Sequence, residues 1–186
     1  MPTHVEESKK LSGQAVLLPH DVRSGMIVPI LCRGTFNTDE FKEHCFDALD
    51  KKIRTKIAHN DIIVAGKDFA KGESGEESAL ALRGLGVSCV IAVSVNRIFL
   101  RNAINLGFPV VILPAALDMI EQGDILEVDP FEAIVRNVSK GLVAKGEILP
   151  KTFLRILKAG DIVNYINRKI SNEDESPPVN QSPGSL

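Results

Sequence analysis

The apolar positions of this chain fall into short runs separated by polar loops. Two β-branched runs, Ile62–Ala65 and Val90–Val93, read as strands buried on both faces, because nothing polar interrupts them. A third run, Val110–Leu113, comes after a helical stretch. The first two are joined by a Gly/Ser/Glu loop, Lys71–Ser78, and a short helical segment. Before the third, Asn96–Leu106 carries Ile98, Phe99, Asn102 and Leu106 near one stripe and stops at Gly107, a residue suited to a left-handed C-cap. Strand, loop, helix, strand, helix, strand predicts a parallel or mixed sheet with crossover helices. In such a sheet the loop Lys71–Ser78 lies beyond a strand's carboxyl end and at a helix start, where ligands bind.

The flanking segments extend this α/β pattern. Gly13–Leu18 is a predicted strand ended by Pro19. Met26–Leu31 is a short apolar run that Pro29 restricts to an edge strand or an irregular extended segment. A helix is expected from Asp39 to near Asp50, capped by Asn37 or Thr38, with Phe41, Cys45, Phe46 and Leu49 on one face. Lys51–Lys56 reads as a basic connection, either a solvated surface or a rim that attracts an anionic partner. Ala115–Gln122 is a further helix stopped by Gly123. Ile125–Val128, Ala133–Val138 and Leu142–Ala144 alternate as strands, the last two joined by the turn Ser139-Lys140-Gly141. Pro150–Lys158 and Asp161–Lys169 are helical, with Asp161 as the N-cap of the second. Residues 1–12 are expected to form a flexible leader, 13–170 one folded domain, and 171–186, rich in Asn, Glu, Ser and Pro, a disordered tail.

Composition narrows the function classes. With 186 residues and 44% apolar content the chain can bury one sizeable core. A net charge of −2 gives no reason to expect a nucleic-acid partner. No apolar run is long enough for a bilayer, and the polar N-terminus has no secretory pattern, so the expectation is a cytoplasmic protein with no membrane partner, a mitochondrial location being left open. Cys32, Cys45 and Cys89 form no C-x-x-C pair; Cys45 and Cys89 read as small core residues, and Cys32 lies beside a possible site. The four histidines lack ligand spacing, which argues against a metal site built wholly by this chain. The loop Phe69–Glu77 matches neither G-x-x-x-x-G-K-[ST] nor G-x-G-x-x-G, which weakens a nucleotide-binding reading.

Three segments carry a family likeness: D-I-I-V-A-G-K-D-F at Asp61–Phe69, G-V-S-C-V-I-A at Gly86–Ala92, and R-I-F-L-R-N-A-I-N-L-G-F-P at Arg97–Pro109. With the ending that runs from Ile134 to Ile166, they resemble the small subunit of 3-isopropylmalate dehydratase and homoaconitase, the swivel domain of the aconitase superfamily. The resemblance implies a swivelling β/β/α three-layer sandwich. It also implies a large partner subunit carrying a [4Fe–4S] cluster, and a small hydroxy-carboxylic acid as substrate. A swivel-domain serine acts as the base in that family, and arginines bind carboxylates. A proton beside a carboxylate is barely acidic, so cations and oriented donors must stabilise the carbanion and the serine alkoxide.

Carried over residue by residue, the likeness places Arg33, in C-R-G-T-F, as a substrate-binding arginine. The family loop G-x-G-S-S-R-E-H-A becomes A-K-G-E-S-G-E-E-S-A, Ala70–Ala79, one residue longer. Counted back from Ala79, Ser74 takes the place of the catalytic serine and Glu76 that of the arginine. Lys71, Gly72 and Gly75 are the expected anion-cradling loop residues. The family segment N-x-D-T-D-x-I-I-P becomes P-H-D-V-R-S-G-M-I-V-P, Pro19–Pro29, with Gly25 at its second Asp.

An acid at the arginine position reverses the local sign, so a dicarboxylate needs a compensating cation, for which Lys71, Arg33 and Arg23 are candidates. Plainer readings stand beside these. Ser74-x-x-Glu77 is a capping box, Arg33 a surface arginine, and Lys71-Gly72 a solvated turn. Two functions therefore stay open at this point: a dehydratase subunit, inactive alone, and a non-catalytic or regulatory paralogue that binds a large subunit or a small acid without turnover.

Overall fold

The computed structural model describes residues 10–29, 43–72 and 75–174. Seven strands, β1 (Leu11–Leu18), β2 (Ile62–Ala65), β3 (Cys89–Ala92), β4 (Val110–Ile112), β5 (Ile125–Asp129), β6 (Ile134–Asn137) and β7 (Leu142–Lys145), form one sheet in the order β4-β3-β2-β1-β5-β6-β7. β1 to β4 run parallel to one another, and β5, β6 and β7 continue from β1 antiparallel. The described helices are α1 (Ser24–Ile27), α2 (Lys51–Lys56), α3 (Glu77–Gly84), α4 (Arg97–Asn105), α5 (Ala116–Met119), α6 (Lys151–Ala159) and α7 (Ile162–Asp174).

Side-chain alternation along the central strands explains the layers. Ile63 and Ala65 of β2, with Val90 and Ala92 of β3, pack against Leu82 of α3 and against Phe99 and Ala103 of α4. Their neighbours Ile62, Val64, Cys89 and Ile91 point the other way and meet Leu126, Val128 and Val135 of the antiparallel strands. The sheet is therefore curled, its antiparallel half lying over its parallel half, with helices on the far side. This is the β/β/α arrangement expected. A third cluster, Ile104 with Leu149, Ile156 and Leu157, seats the last two helices against α4.

β1 makes the curl possible. Leu11–Gln14 pair with β5, whereas Ala15–Leu18 pair with β2. Where β5 departs, the Gln122 side-chain amide takes over: its Oε1 accepts from the Leu17 N–H at 2.9 Å and its Nε2 donates to the Ala15 carbonyl at 3.1 Å. A primary amide thus substitutes for a strand's peptide group. At Gly13 the backbone passes so close to Asn60 that a Cβ would overlap the Asn60 carbonyl.

A buried polar node fixes the other end of the ribbon. Asn137, fully buried, donates to the Met119 carbonyl at 2.8 Å and to the Asp124 carboxylate at 2.6 Å, and accepts from the Lys140 N–H at 3.1 Å. Asp124 also accepts from the Glu121 N–H at 2.8 Å and faces the Lys140 ammonium at 3.6 Å. Hydrogen bonds from the Glu121 N–H and Asn137, and then the Lys140 charge, hold this carboxyl below its ordinary range.

Several local expectations change. β1 starts at Leu11, earlier than Gly13, because Leu11 and Ser12 pair with Val128 and Glu127. Met26–Leu31 is not extended at its start: Met26 and Ile27 belong to α1, and Pro29 forces only Val28 into an extended conformation. Of the helix expected over Asp39–Asp50, the described part breaks at Phe46, whose φ is +65° and whose N–H donates to the Ile27 carbonyl. Lys51–Lys56 is a helix, not a connection; the Asp50 side chain caps it through the Lys52 N–H, and none of its residues is buried. The helix expected to reach Gln122 ends at Met119, since Ile120 is extended and Gln122 serves β1. α7 runs to Asp174, past the expected Lys169, and the Asn164 N–H donates to the Asp161 carboxylate at 2.7 Å as expected of an N-cap. Gly107, with φ +69°, ends α4 through Gly107 N–H to Ile104 and Phe108 N–H to Ala103 carbonyl bonds. Among the described residues no helix is long and apolar enough to cross a membrane.

Two outcomes follow from this packing. Gly13→Ala should cost about 1–3 kcal/mol in urea unfolding, whereas Gly25→Ala, whose Cβ would meet nothing within 4 Å, should be neutral or stabilising. A Gly13 variant as stable as the wild type would show that β1 does not need the close approach. For Asp124 the folded carboxyl sits below its ordinary value of 3.8, so its contribution is present above that pH and is lost as pH falls through the depressed folded value. Asp124→Asn should therefore lower the urea midpoint at about pH 7 and flatten the decline toward about pH 3; parallel pH curves for both proteins would contradict the assignment.

Candidate active site at the carboxyl ends of the parallel strands

The segments that follow β1, β2 and β3 meet at one end of the sheet. The middle one, Gly66–Gly72, is bonded on both sides. Toward the β1 segment, Asp21 N–H donates to the Lys67 carbonyl at 2.8 Å, Ala70 N–H to the Val22 carbonyl at 2.7 Å, and Ser24 N–H to the Lys71 carbonyl at 3.0 Å. Toward the β3 segment, Phe69 N–H donates to the Ser94 carbonyl at 3.0 Å, Asn96 N–H to the Phe69 carbonyl at 2.9 Å, and Asp68 N–H to the Ser94 hydroxyl at 2.8 Å. The His20 Nδ1 accepts from the Lys67 N–H at 2.8 Å. Backbone polar groups that a tight loop would leave open are therefore shared among three neighbours.

The loop is strained as well as bonded. Asp21, Asp68 and Ala70 have φ of 57°, 56° and 56°, and Gly72 has φ of 105°. Non-glycine residues hold such angles only where the surroundings enforce them. The anchor is Phe69: it is fully buried and meets Phe99 edge to face, with centroids 5.3 Å apart. Asp68 and Lys71 consequently face solvent, their side chains 52% and 59% exposed and joined by an ion pair at 3.4 Å.

The sequence-predicted residues divide into two groups. Lys71 and Gly72 lie in the strained loop, Gly72 beside Ser24, whose hydroxyl would be 3.6 Å from an added Cβ. Gly75 precedes α3, and a Cβ there would overlap the Glu77 carboxylate. Arg33 and Ser74 lie outside the described residues. α3 starts at Glu77 with Glu76 in the N-cap position and no side-chain cap bond from Glu76, and the Ser74 half of the capping-box reading lies outside the described residues. Ser78, at the motif's histidine position, is 3% exposed in the first turn.

Of two nearby residues, Ser24 carried little sequence signal, whereas Arg23 was among the candidate compensating cations. Ser24 is buried against the loop, and Arg23 forms a parallel backbone bridge with Lys71.

The site has no thiol chemistry from the described cysteines. Burial pushes the Cys45 and Cys89 thiols far above their ordinary range, so both stay protonated in the core. Among the described residues no three His, Cys, Asp or Glu side chains converge as a metal-binding group. The described residues therefore do not fit an iron–sulfur cluster.

The electrostatics are mixed. Lys67, Lys71, Arg23 and Arg97 stand on the three segments with Asp21 and Asp68, and Glu76 and Glu77 stand at the start of α3. Arg97 opens α4, whose N-cap Asn96 accepts from the Ile98 and Phe99 N–H groups at 2.8 and 3.3 Å. A polar, cation-bearing rim over a rigid loop is suited to a small anion.

Comparison with known proteins agrees with this architecture. A family model described as the aconitase C-terminal domain matches residues 23–116. The 3-isopropylmalate dehydratase small subunit of Caldanaerobacter subterraneus subsp. tengcongensis is 38% identical over 160 residues, 86% of this chain and 99% of that one. The 2,3-dimethylmalate dehydratase small subunit of Eubacterium barkeri is 37% identical over 158 residues, 85% of this chain and 97% of that one. The crystal structure of 3-isopropylmalate dehydratase from Methanocaldococcus jannaschii has a TM-score of 0.82 and 33% identity, covering 90% of this chain and 99% of that one. Matched in sequence along nearly the whole length of these relatives, and in fold along the curled sheet, the chain belongs to the aconitase C-terminal domain family, among its 3-isopropylmalate dehydratase-type small subunits.

Proposed function

We propose that this chain is the swivel subunit of a two-chain hydro-lyase that removes and re-adds water on a malate-type hydroxy acid. The observation that supports this most is end-to-end similarity to dehydratase small subunits, combined with a bonded, strained loop at the carboxyl ends of the parallel strands. The two relatives are named for different substituents on a malate core at nearly equal identity. The malate part, a hydroxyl flanked by carboxylates, is therefore the substrate class, and the substituent is set elsewhere.

The partner in this reading is a large subunit carrying a [4Fe–4S] cluster, which supplies a Lewis acid for the departing hydroxyl. This chain contributes the base and part of the carboxylate grip. Ser74 takes the proton from the carbon next to a carboxylate, and the electron pair left behind becomes the new double bond as hydroxide leaves the adjacent carbon. Arg33 binds a carboxylate through its planar guanidinium. Lys71, Gly72 and Gly75 line the loop, where the ammonium and backbone N–H groups favour negative charge. Rigidity of the loop matters because donors already in place need no reorganisation as charge develops.

The test is a complex of this chain with the large subunit of its own source, assembled without oxygen and assayed for loss of water from 3-isopropylmalate and 2,3-dimethylmalate. Ser74→Ala should leave the complex intact and lower kcat about 10²- to 10⁴-fold. A complex that forms and turns over equally well with alanine at this position would exclude Ser74 as the base. One that binds acids without turnover would make the chain a binding paralogue.

A further inference from the structure

We propose that Arg23, together with Lys71, grips a substrate carboxylate and so provides the positive charge that position 76 lacks. This rests on the hydro-lyase reading above and assigns part of its substrate contact.

The placement comes from the backbone. Arg23 and Lys71 are partners in an isolated parallel backbone bridge. The Ala70 N–H to Val22 carbonyl bond at 2.7 Å and the Ser24 N–H to Lys71 carbonyl bond at 3.0 Å fix the register. Along an extended segment side chains alternate. Val22 and Ser24 are 1% and 3% exposed, so Arg23 between them points outward, and it is exposed. Bridge partners share a face, which puts Arg23 and Lys71 on the same, solvent side of the loop.

Like charges directly opposite each other on a ladder repel, yet the fold keeps this pair. Lys71 is held in an exposed ion pair with Asp68 at 3.4 Å. The Arg23 side chain has no hydrogen bond or ion pair among the described residues. The backbone bridge, the buried flanking residues and the strained loop keep two cations on one side at the end of the sheet where ligands of parallel strands bind. An anion shared between them removes the repulsion. A carboxylate fits the arrangement: the guanidinium takes both oxygens in a fork, and the ammonium approaches one of them as a point charge.

Position 76 explains the need. Glu76 stands at the start of α3, and α1, which begins directly after Arg23, packs against α3. An acid there disfavours a carboxylate ligand unless a cation outweighs it. Arg23 is a described cation that is unengaged and tied to the loop through its backbone.

The experiment uses the two-subunit complex with 3-isopropylmalate and 2,3-dimethylmalate as probes, measuring turnover and, by calorimetry, direct binding. Arg23→Gln should raise KM and weaken binding about 10- to 100-fold, the loss of one charge-assisted contact, with kcat nearly unchanged. Arg23→Lys should recover part of the loss. Unchanged KM and binding in Arg23→Gln would overturn the assignment. So would a defect that disappears in the Arg23→Gln, Glu76→Gln double variant, because the arginine would then only screen Glu76. A wild-type complex that binds a probe without turning it over would sink the hydro-lyase reading and leave the Arg23 assignment standing on its binding arm; one that neither binds nor turns over either probe would overturn both.

Discussion

β1 exchanges partners halfway along its length. Its first four residues form antiparallel bonds to β5 and its last four form parallel bonds to β2. The parallel half and the antiparallel half of the sheet are joined through this strand, so its course sets the angle between them. Gly13 lets the backbone approach Asn60, and the Gln122 amide occupies the gap that opens beside Ala15 and Leu17. The apolar layer of Ile62, Val64, Ile91, Leu126 and Val128 fills the fold that results. Without the exchange the two halves would lie flat, and that layer would be exposed to water.

The same strand leads straight to the candidate site. It ends at Leu18, and the five residues that follow carry the chain to Arg23 beside Lys71. Rigidity passes along this route by hydrogen bonds: Pro19, Asp21, Val22 and Ser24 all bond to the β2 loop. On its other side the loop is held by Ser94 and Asn96 and pinned by Phe69. A loop so restrained can keep left-handed angles at Asp68 and Ala70, and these angles let Phe69 point inward while Asp68 and Lys71 point out.

What the sequence revealed was what depends on near neighbours. β2 was legible because four consecutive apolar residues can only be buried on both faces, and α4 because its stripe, its Asn96 cap and its Gly107 stop agree. The hairpin turn at Ser139–Gly141 was equally local. The features that were missed depend on distant partners or on weak patterns. Gln122 reads as the end of a helix until β1 claims its amide. Lys51–Lys56 contains one apolar residue, Ile53, so no stripe betrays the helix, although Asp50 is a suitable cap. Phe46 reads as a helical core residue, but the Ile27 carbonyl turns its backbone left-handed. Of the site, the loop and its glycines were legible from motif spacing. The pairing of Arg23 with Lys71 was not, since alternation over Val22, Arg23 and Ser24 is too brief to stand out. Arg33 and Ser74 rest on the motif, because both fall outside the described residues.

The place of β1 in the chain also bears on how the protein is made. It is the first described element to leave the ribosome, yet its two sets of partners are encoded far downstream, β2 near Ile62 and β5 near Ile125. During synthesis the parallel half can assemble first, leaving the leading end of β1 unpaired until the ribbon emerges. In that interval Leu11–Gln14 presents an open strand edge to other nascent chains.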